Sequence, residues 1–258
     1  MAHKARFGIV VVGDEILTGK RQDKHFSRTV QMLAARGLEL AWARHVGDED
    51  SLLVETYRET FASSDIVFSF GGIGGTPDDR TRQAVAAALG RGLRVHPEGM
   101  RELRARFPES ELTPMRLRMI EFPEGAELIP NPVNRIPGFT IASHHFVPGF
   151  PNMAWPMIEW VLDTRYAQLQ VPGTIAEQVI LVENCRESQI VALMETFVSR
   201  YPLLRMSCLP HSEGDRYELE LGLRGEPGLV NGAMQELQRE VSALGFRWLP
   251  VNLYARQA

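Results

Sequence analysis

Two turns carry the residue types that could do chemistry. The first reads Gly71-Gly72-Ile73-Gly74-Gly75-Thr76-Pro77-Asp78-Asp79-Arg80-Thr81. Four glycines let a backbone turn sharply and approach a ligand with no Cβ in the way. Thr76 suits a helix N-cap and Pro77 the first helical position. The free N–H groups and dipole of such a helix start favour an anion, phosphate above all. Pro77 stands where the dinucleotide-binding fingerprint needs its third glycine, so that motif is absent. A capping box, with Asp79 reaching back to Thr76, accounts for those two residues. It leaves the glycines to function, and Gly71, Gly72, Gly74, Gly75, Thr76, Asp78 and Thr81 are the expected ligand-binding set.

The acids of this turn pose a difficulty. Two carboxylates beside a bound phosphate repel it by about a few kcal/mol at moderate dielectric. A divalent cation between them turns repulsion into coordination, and Mg²⁺ binds through one or two carboxylates plus phosphate oxygens. Asp78 and Asp79 are therefore expected metal ligands, for Mg²⁺, Mn²⁺ or Co²⁺.

The second turn is Gly13-Asp14-Glu15-Ile16-Leu17-Thr18-Gly19-Lys20. It is no P-loop, because five residues separate its glycines and Arg21 replaces the required Ser or Thr. What remains is an acidic pair after an apolar run. Its acids are either simply solvated, or Asp14 or Glu15 joins Asp78 and Asp79 around the ligand as metal ligand or general base. Gly13, Asp14, Glu15 and Asp79 enter the candidate site on the second reading. The histidines offer less: His144 and His145 are adjacent in a strand and face opposite ways. His25, His45, His96 and His211 have no partners at useful spacing. No Gly-x-Ser-x-Gly elbow occurs, and neither Cys185 nor Cys208 sits in a nucleophile context. Trp155, Met157, Ile158 and Val161 fit a core or a subunit interface.

The elements that would position these turns alternate strand and helix. Strands are expected at 7–12, 38–46 and 64–70, and helices at 23–36, 49–62 and 76–89. Phe26, Val30, Leu33 and Ala34 form the apolar face of the first helix, and Gly37 its C-terminal cap. The pattern implies right-handed crossovers and a mostly parallel sheet. Ligands then sit at the carboxyl ends of strands, where both turns lie, as two walls of one pocket. A short strand and a helix follow over 94–107, a helix over 114–122, one strand over 140–147 and an aromatic helix over 152–168. From 171 to 258 the order β-α-β-β-α-β suggests a small split-βαβ domain. The fold class is thus α/β, with domains 1–170 and 171–258.

A formal net charge of −4 argues against general attraction to nucleic acid or an anionic membrane. The second domain has 8 Arg against 11 Asp and Glu and no GxxG loop, so RNA binding is unsupported. Two cysteines exclude a disulfide-stapled scaffold. The first apolar run is too short for a membrane span, and a cytoplasmic protein is expected.

Taken together, Gly-Asp-Glu-Ile-Leu-x-Gly (13–19), Val-Gly-Asp (46–48), Gly-Gly-Ile-Gly-x-Thr-x-Asp-Asp-x-Thr (71–81), Pro-Asn (130–131) and Pro-Gly-x-Pro (148–151) resemble the MoaB/Mog molybdopterin-binding fold. The likeness is closer to the N-terminal part of the competence/damage-inducible protein A (CinA) family and covers about residues 6–169. It implies a three-layer α/β/α sandwich. It also adds Asp48, Asn131, Pro148 and Gly149 to the ligand-binding set. Molybdenum-cofactor members bind molybdopterin, and some adenylylate it using an acid matching Asp79 in position. Some CinA-like members, and a related domain of FAD synthases, are metal-dependent pyrophosphatases acting on ADP-ribose or FAD. Full-length CinA proteins also carry a C-terminal amidase; with the sequence ending at Ala258, that activity is not expected. By family analogy the chain forms dimers or trimers.

Two departures bear on function. Gly75 stands where CinA-like sequences usually carry Pro or Ala. Met153 stands where many have Glu, and if that Glu serves hydrolysis, this chain is expected to bind without turnover. Three readings follow: a binding protein for a phosphorylated pterin or nucleotide, a metal-dependent nucleotide-diphosphate pyrophosphatase, and a non-catalytic assembly module.

Overall fold

The computed structural model describes residues 5–213 and 216–251. Contacts divide the chain into two compact units, Met1–Gln170 and Val171–Ala258. The first begins with β1 (Phe7–Val12), the four-residue α1 (Asp14–Leu17), α2 (His25–Ala34), β2 (Leu40–Val46), α3 (Asp50–Phe61), β3 (Ile66–Phe70) and α4 (Thr81–Leu89). Then come β4 (Leu93–Val95), α5 (Pro97–Arg106), α6 (Pro114–Arg118), β5 (Glu121–Pro123), β6 (Glu127–Ile129), β7 (Gly138–Ile141), β8 (His144–Val147) and α7 (Pro151–Arg165).

The main sheet runs β2-β1-β3-β8-β7-β6. Its first four strands are parallel, while β7 and β6 are each antiparallel to the preceding neighbour. β1 is buried along its whole length, as a strand covered on both faces must be. Phe7, Ile9 and Val11 pack with Met32 and Leu33 of α2 and with Met157, Ile158 and Val161 of α7. Val10 and Val12 pack on the other face, with Leu53 and Tyr57 of α3 and with Ala84 and Val85 of α4. Period-two alternation in one strand thus feeds two cores, and the α/β/α sandwich follows.

Three local expectations fail. The buried face of α2 is His25, Thr29, Met32 and Leu33, whereas Phe26 and Val30 are exposed. Asp23 lies before the helix and caps it, its carboxylate accepting from the N–H groups of His25 (2.7 Å) and Phe26 (3.4 Å). The inward face is a 25-29-32-33 stripe, polar for its first turn. Gly37 does close this helix: its N–H reaches Ala34 O, and the next N–H, of Leu38, reaches Leu33 O. The single strand expected at 140–147 is a hairpin, Ile141 facing His144 across Ala142 and Ser143, with Ala142 at φ 50°. Every residue of both arms is buried, so composition alone hides the turn. The helix expected at 114–122 stops at Arg118, and β5 takes up its end to pair with β4.

The second unit contains β9 (Ala176–Glu183), α8 (Val191–Arg200), β10 (Arg205–Glu213), β11 (Arg216–Gly225), α9 (Pro227–Ala243) and β12 (Trp248–Val251). Its sheet runs β10-β11-β9-β12, with every neighbouring pair antiparallel. Ile180, Val182, Leu219, Leu221 and Leu223 bury one face against Val230, Met234, Leu237 and Val241 of α9 and Phe197 of α8. Cys185 and Cys208 are free, and burial pushes both thiols up, away from the nucleophilic thiolate. Among the described residues no helix is long and apolar enough to cross a membrane.

Candidate functional site

The strand order places β2 and β3 on opposite sides of β1. The chain leaves β1 towards α2 on one face of the sheet and leaves β3 towards α4 on the other. The carboxyl ends of β1 and β3 therefore border a crevice that no crossover covers, the switch point where open α/β sheets bind ligands.

The acids of the turn after β1 meet Asp48 at this edge. Gly13 N–H donates to Val46 O (3.0 Å), joining the turn after β1 to the end of β2. Asp14 and Asp48 then lock reciprocally: Asp14 N–H donates to Asp48 Oδ2 (3.0 Å) and Asp48 N–H to Asp14 Oδ1 (3.1 Å). Burial raises the Asp48 carboxyl above the usual range, the carboxylates of Asp14, Glu15 and Asp78 raise it further, and the Asp14 N–H opposes them. So Asp14, Glu15, Asp48 and Asp78 are near neighbours in charge. Among the described residues, however, no three Asp, Glu, His or Cys side chains are arranged to hold a metal ion.

The glycine turn differs from its expected form. α4 begins at Thr81, five residues later than the cap expected at Thr76. Thr76 to Asp79 is a closed turn instead. Asp79 N–H donates to Thr76 O (3.1 Å), while Asp79 Oδ2 accepts from the Thr76 N–H (2.9 Å) and hydroxyl (2.5 Å). Asp79 does reach back to Thr76 as the capping box required, but α4 starts only at Thr81, beyond that turn. Asp78 is exposed, and Thr76 and its own N–H hold its carboxyl low.

The glycines also have internal reasons. Gly71 (φ 100°) lies on Val12 O, and Gly72 (φ 67°) lies on the Thr81 hydroxyl. A Cβ at Gly74 would meet the Asp79 carboxylate, and one at Gly75 the Met115 carbonyl. Thr81 is fully buried, its N–H on Gly72 O (3.0 Å) and its hydroxyl on Gly71 O (3.1 Å), so it braces the turn. Beneath lies Arg82, 1% exposed. Its guanidinium donates to Gly74 O (2.5 Å), to Arg118 O and to Glu121 O (3.3 Å). Arg82 is a strut that sequence reasoning missed, since nothing in its spacing distinguishes it from a solvated helix arginine.

On the α2 side of the crevice is a cleft of about 300 Å³. Val11, Val12 and Phe70, at the ends of β1 and β3, contribute apolar wall. Glu15 and Ile16 come from the turn after β1, Arg21 to His25 from the approach to α2, and Gly149 to Pro151 from the loop after β8. Arg21 and Lys24 are exposed and make no ion pair among the described residues. His25 is 4% exposed. It stacks on Phe70 (centroids 4.3 Å apart) and lies 3.1 Å through Nε2 from Gly149 O.

Residues 8–168 match the family described as "Probable molybdopterin binding domain". The chain belongs to this family. Among relatives of the molybdopterin-binding domain, a protein of Aeropyrum pernix is 32% identical over 74% of this chain and 73% of its own length. A CinA-like protein of Anaeromyxobacter sp. is 36% identical over 64% of this chain and 42% of its own, and one of Desulfosudis oleivorans 29% identical over 76% and 50%. This chain therefore spans about half the length of these CinA-like relatives. The crystal structure of CinA from Thermoplasma acidophilum, titled as of unknown function, superposes with TM-score 0.56 at 25% identity, over 64% of this chain and 99% of that one.

Within this molybdopterin-binding domain the remaining candidates divide. Gly149 lines the cleft, and Pro148 directly follows the end of β8. Asn131 is buried and occupied with its own loop, accepting from the N–H groups of Val133 (3.0 Å) and Asn134 (3.4 Å) and donating to Ile136 O (3.0 Å). Met153 presents its sulfur to Asn134 Nδ2 (3.1 Å). His144 stacks on Phe61 on one face of the sheet, while His145 bonds Thr140 and Tyr166 on the other. His25 has partners after all, in Phe70 and Gly149.

Proposed function

We propose that the chain binds a phosphorylated pterin or nucleotide at the switch-point crevice. The cleft carries this reading: an apolar wall for a ring, with two unpaired cations, Arg21 and Lys24, for a phosphate. Membership of a family described by molybdopterin binding supports it. In this reading Gly13, Asp14, Glu15, Asp48, Gly71, Gly72, Gly74, Gly75, Thr76, Asp78, Asp79, Pro148 and Gly149 shape or border the site. Thr81 braces it, and Asn131 orders a loop outside it. Calorimetric titration with GMP, ADP-ribose and a monophosphorylated pterin tests the reading. Saturable binding is expected, weakened about tenfold or more when Arg21 and Lys24 are both changed to Ala, a loss of about 1.4 kcal/mol or more. Absence of saturable binding by all three below about 1 mM would sink it.

A second reading is a metal-dependent pyrophosphatase, favoured by the crowding of Asp14, Glu15 and Asp78 around Asp48, a charge cluster that a cation would relieve. With no preformed ion cage, Mg²⁺, Mn²⁺ or Co²⁺ would take one or two of these carboxylates, Asp78 and Asp79 included, and complete its shell with phosphate oxygens and water. Bound there, the ion would supply charge neutralisation at the diphosphate. AMP release from ADP-ribose or FAD with each ion, lost in Asp48→Asn, is the expected result. No AMP with any ion, alongside measured ligand binding, would leave a binding protein. Dimers or trimers are proposed on family grounds, and sedimentation equilibrium measures them.

A further inference from the structure

His45, which its spacing in the sequence leaves without a partner, has one in the fold. β2 is an outer strand of the main sheet, and its alternation turns Arg44 towards Glu59 of α3 and His45 to the opposite face, that of α2. There His45 Nε2 lies 2.8 Å from Asp23 Oδ2. The Asp23 side chain is 11% exposed and that of His45 37%. An ionised carboxylate only accepts, so His45 Nε2 carries the hydrogen of this pair. Asp23 Oδ1 accepts from the N–H groups of His25 (2.7 Å) and Phe26 (3.4 Å). One carboxylate thus joins the start of α2 to the end of β2.

Asp23 stands in a cationic stretch. Arg21 and Lys24 flank it in the segment that lines the cleft, both exposed and both without an ion pair among the described residues. The Arg21 N–H rests on Glu15 O (2.9 Å), so the segment is tied to the turn after β1 at one end and to β2 through Asp23 at the other. Among the described residues Asp23 Oδ2 has no partner besides His45. A largely buried carboxylate oxygen that loses its donor is costly to leave unpaired, and it turns to the nearest available cation. Here those cations are Arg21 and Lys24, the two groups assigned to the ligand phosphate.

We propose that His45 is a positioning residue for the phosphate-binding cations. By occupying Asp23 Oδ2 it keeps that carboxylate from neutralising Arg21 and Lys24, and it pins the segment that carries them to β2. His45 acts from behind Asp23, outside the cleft wall, and touches no ligand. The inference rests on the ligand-binding reading above and goes beyond it by naming what keeps the cations available.

Calorimetric titration with GMP across paired variants tests this. His45→Ala should weaken GMP binding about fivefold, the scale of one competing ion pair near the surface. His45→Gln, which keeps an N–H donor for Asp23, should stay within about twofold of the parent. Adding Asp23→Asn to His45→Ala removes the competing charge and should restore most of the loss, whereas a merely structural brace would be weakened further by it. With Arg21 and Lys24 both changed to Ala, His45→Ala should shift GMP affinity by less than about twofold, because no cation remains to be neutralised. Parent-like GMP binding by His45→Ala would overturn the inference. So would a loss that neither Asp23→Asn nor removal of the cations changes, and a misfolded variant gives that second result. In both cases the ligand-binding reading stands on the parent protein's own titration. If the parent binds none of GMP, ADP-ribose and the pterin, the reading falls and takes the inference with it.

Discussion

Replacing Arg82 should destabilise the chain more than any exposed arginine would. Its guanidinium is buried and satisfies the carbonyls of Gly74, Arg118 and Glu121, tying the glycine turn to the segment joining α6 and β5. Burial lowers its proton affinity while the Asp79 and Glu121 carboxylates raise it, so the cation is held partly by the turn it supports. In Arg82→Met the two closest carbonyls lose their donor at about 1–3 kcal/mol each, and the third, at 3.3 Å, adds less. The relief of a desolvated charge offsets part of this. The expected net loss is about 3–5 kcal/mol, a large share of a typical stability of about 5–15 kcal/mol. Arg82→Lys keeps the charge but not the fork, and should lose about half as much. Urea unfolding followed by tryptophan fluorescence measures both, provided the transition of the first unit is resolved from that of the second. An Arg82→Met protein within about 1 kcal/mol of the parent would refute the strut, as would an Arg82→Lys protein of undiminished stability.

Two further outcomes follow from positions of defined geometry. Gly72 and Gly90 share a left-handed conformation (φ 67° and 64°), but a Cβ at Gly72 would overlap the Thr81 hydroxyl while one at Gly90 would meet nothing within 4 Å. Gly90→Ala should cost about 1 kcal/mol and Gly72→Ala about 2–4 kcal/mol; equal losses in urea titrations would show that the turn accommodates the methyl group. Burial pushes His144 down to about 4 and His145 to about 3, from an ordinary 6.5. The unfolded chain therefore takes up protons first as pH falls, and stability is full above pH 6.5 and lost on the way down to pH 4 and 3. Each histidine should contribute about 1.4 kcal/mol of loss between pH 7.5 and 5.5, and His144→Phe, which keeps the stack on Phe61, should remove its share. Urea midpoints at pH 7.5 and 5.5 decide it, and an unchanged pH dependence in that variant would count against a buried neutral His144.

Much of the architecture was legible because its determinants are local. The apolar run at β1, the alternation of strands with amphipathic helices and the Gly37 stop each declare themselves within a few residues. The start of α2 was misplaced because Asp23 was counted inside the helix, whereas its carboxylate accepts from the N–H groups of His25 and Phe26. The capping-box reading at Thr76 failed for a related reason: Asp79 closes a turn with the same bonds it would use at a helix start. Both errors concern a polar side chain whose backbone partner cannot be known before the chain is folded.

By itself the sequence determined the alternation that makes the sandwich, the family resemblance, and the positions of two acidic turns at strand ends. Only the tertiary structure decided what those turns do. It joined Asp48 to Asp14 within electrostatic reach of Asp78, filled the spaces beside four glycines with the chain's own atoms, and buried Arg82 under them. It also set His25 against Phe70 with one nitrogen bonded to Gly149 and the other unpaired. The physical reason is range. Strand and helix signals arise from neighbours a few positions apart, whereas Asp14 meets Asp48 across 34 residues and His25 meets Gly149 across 124.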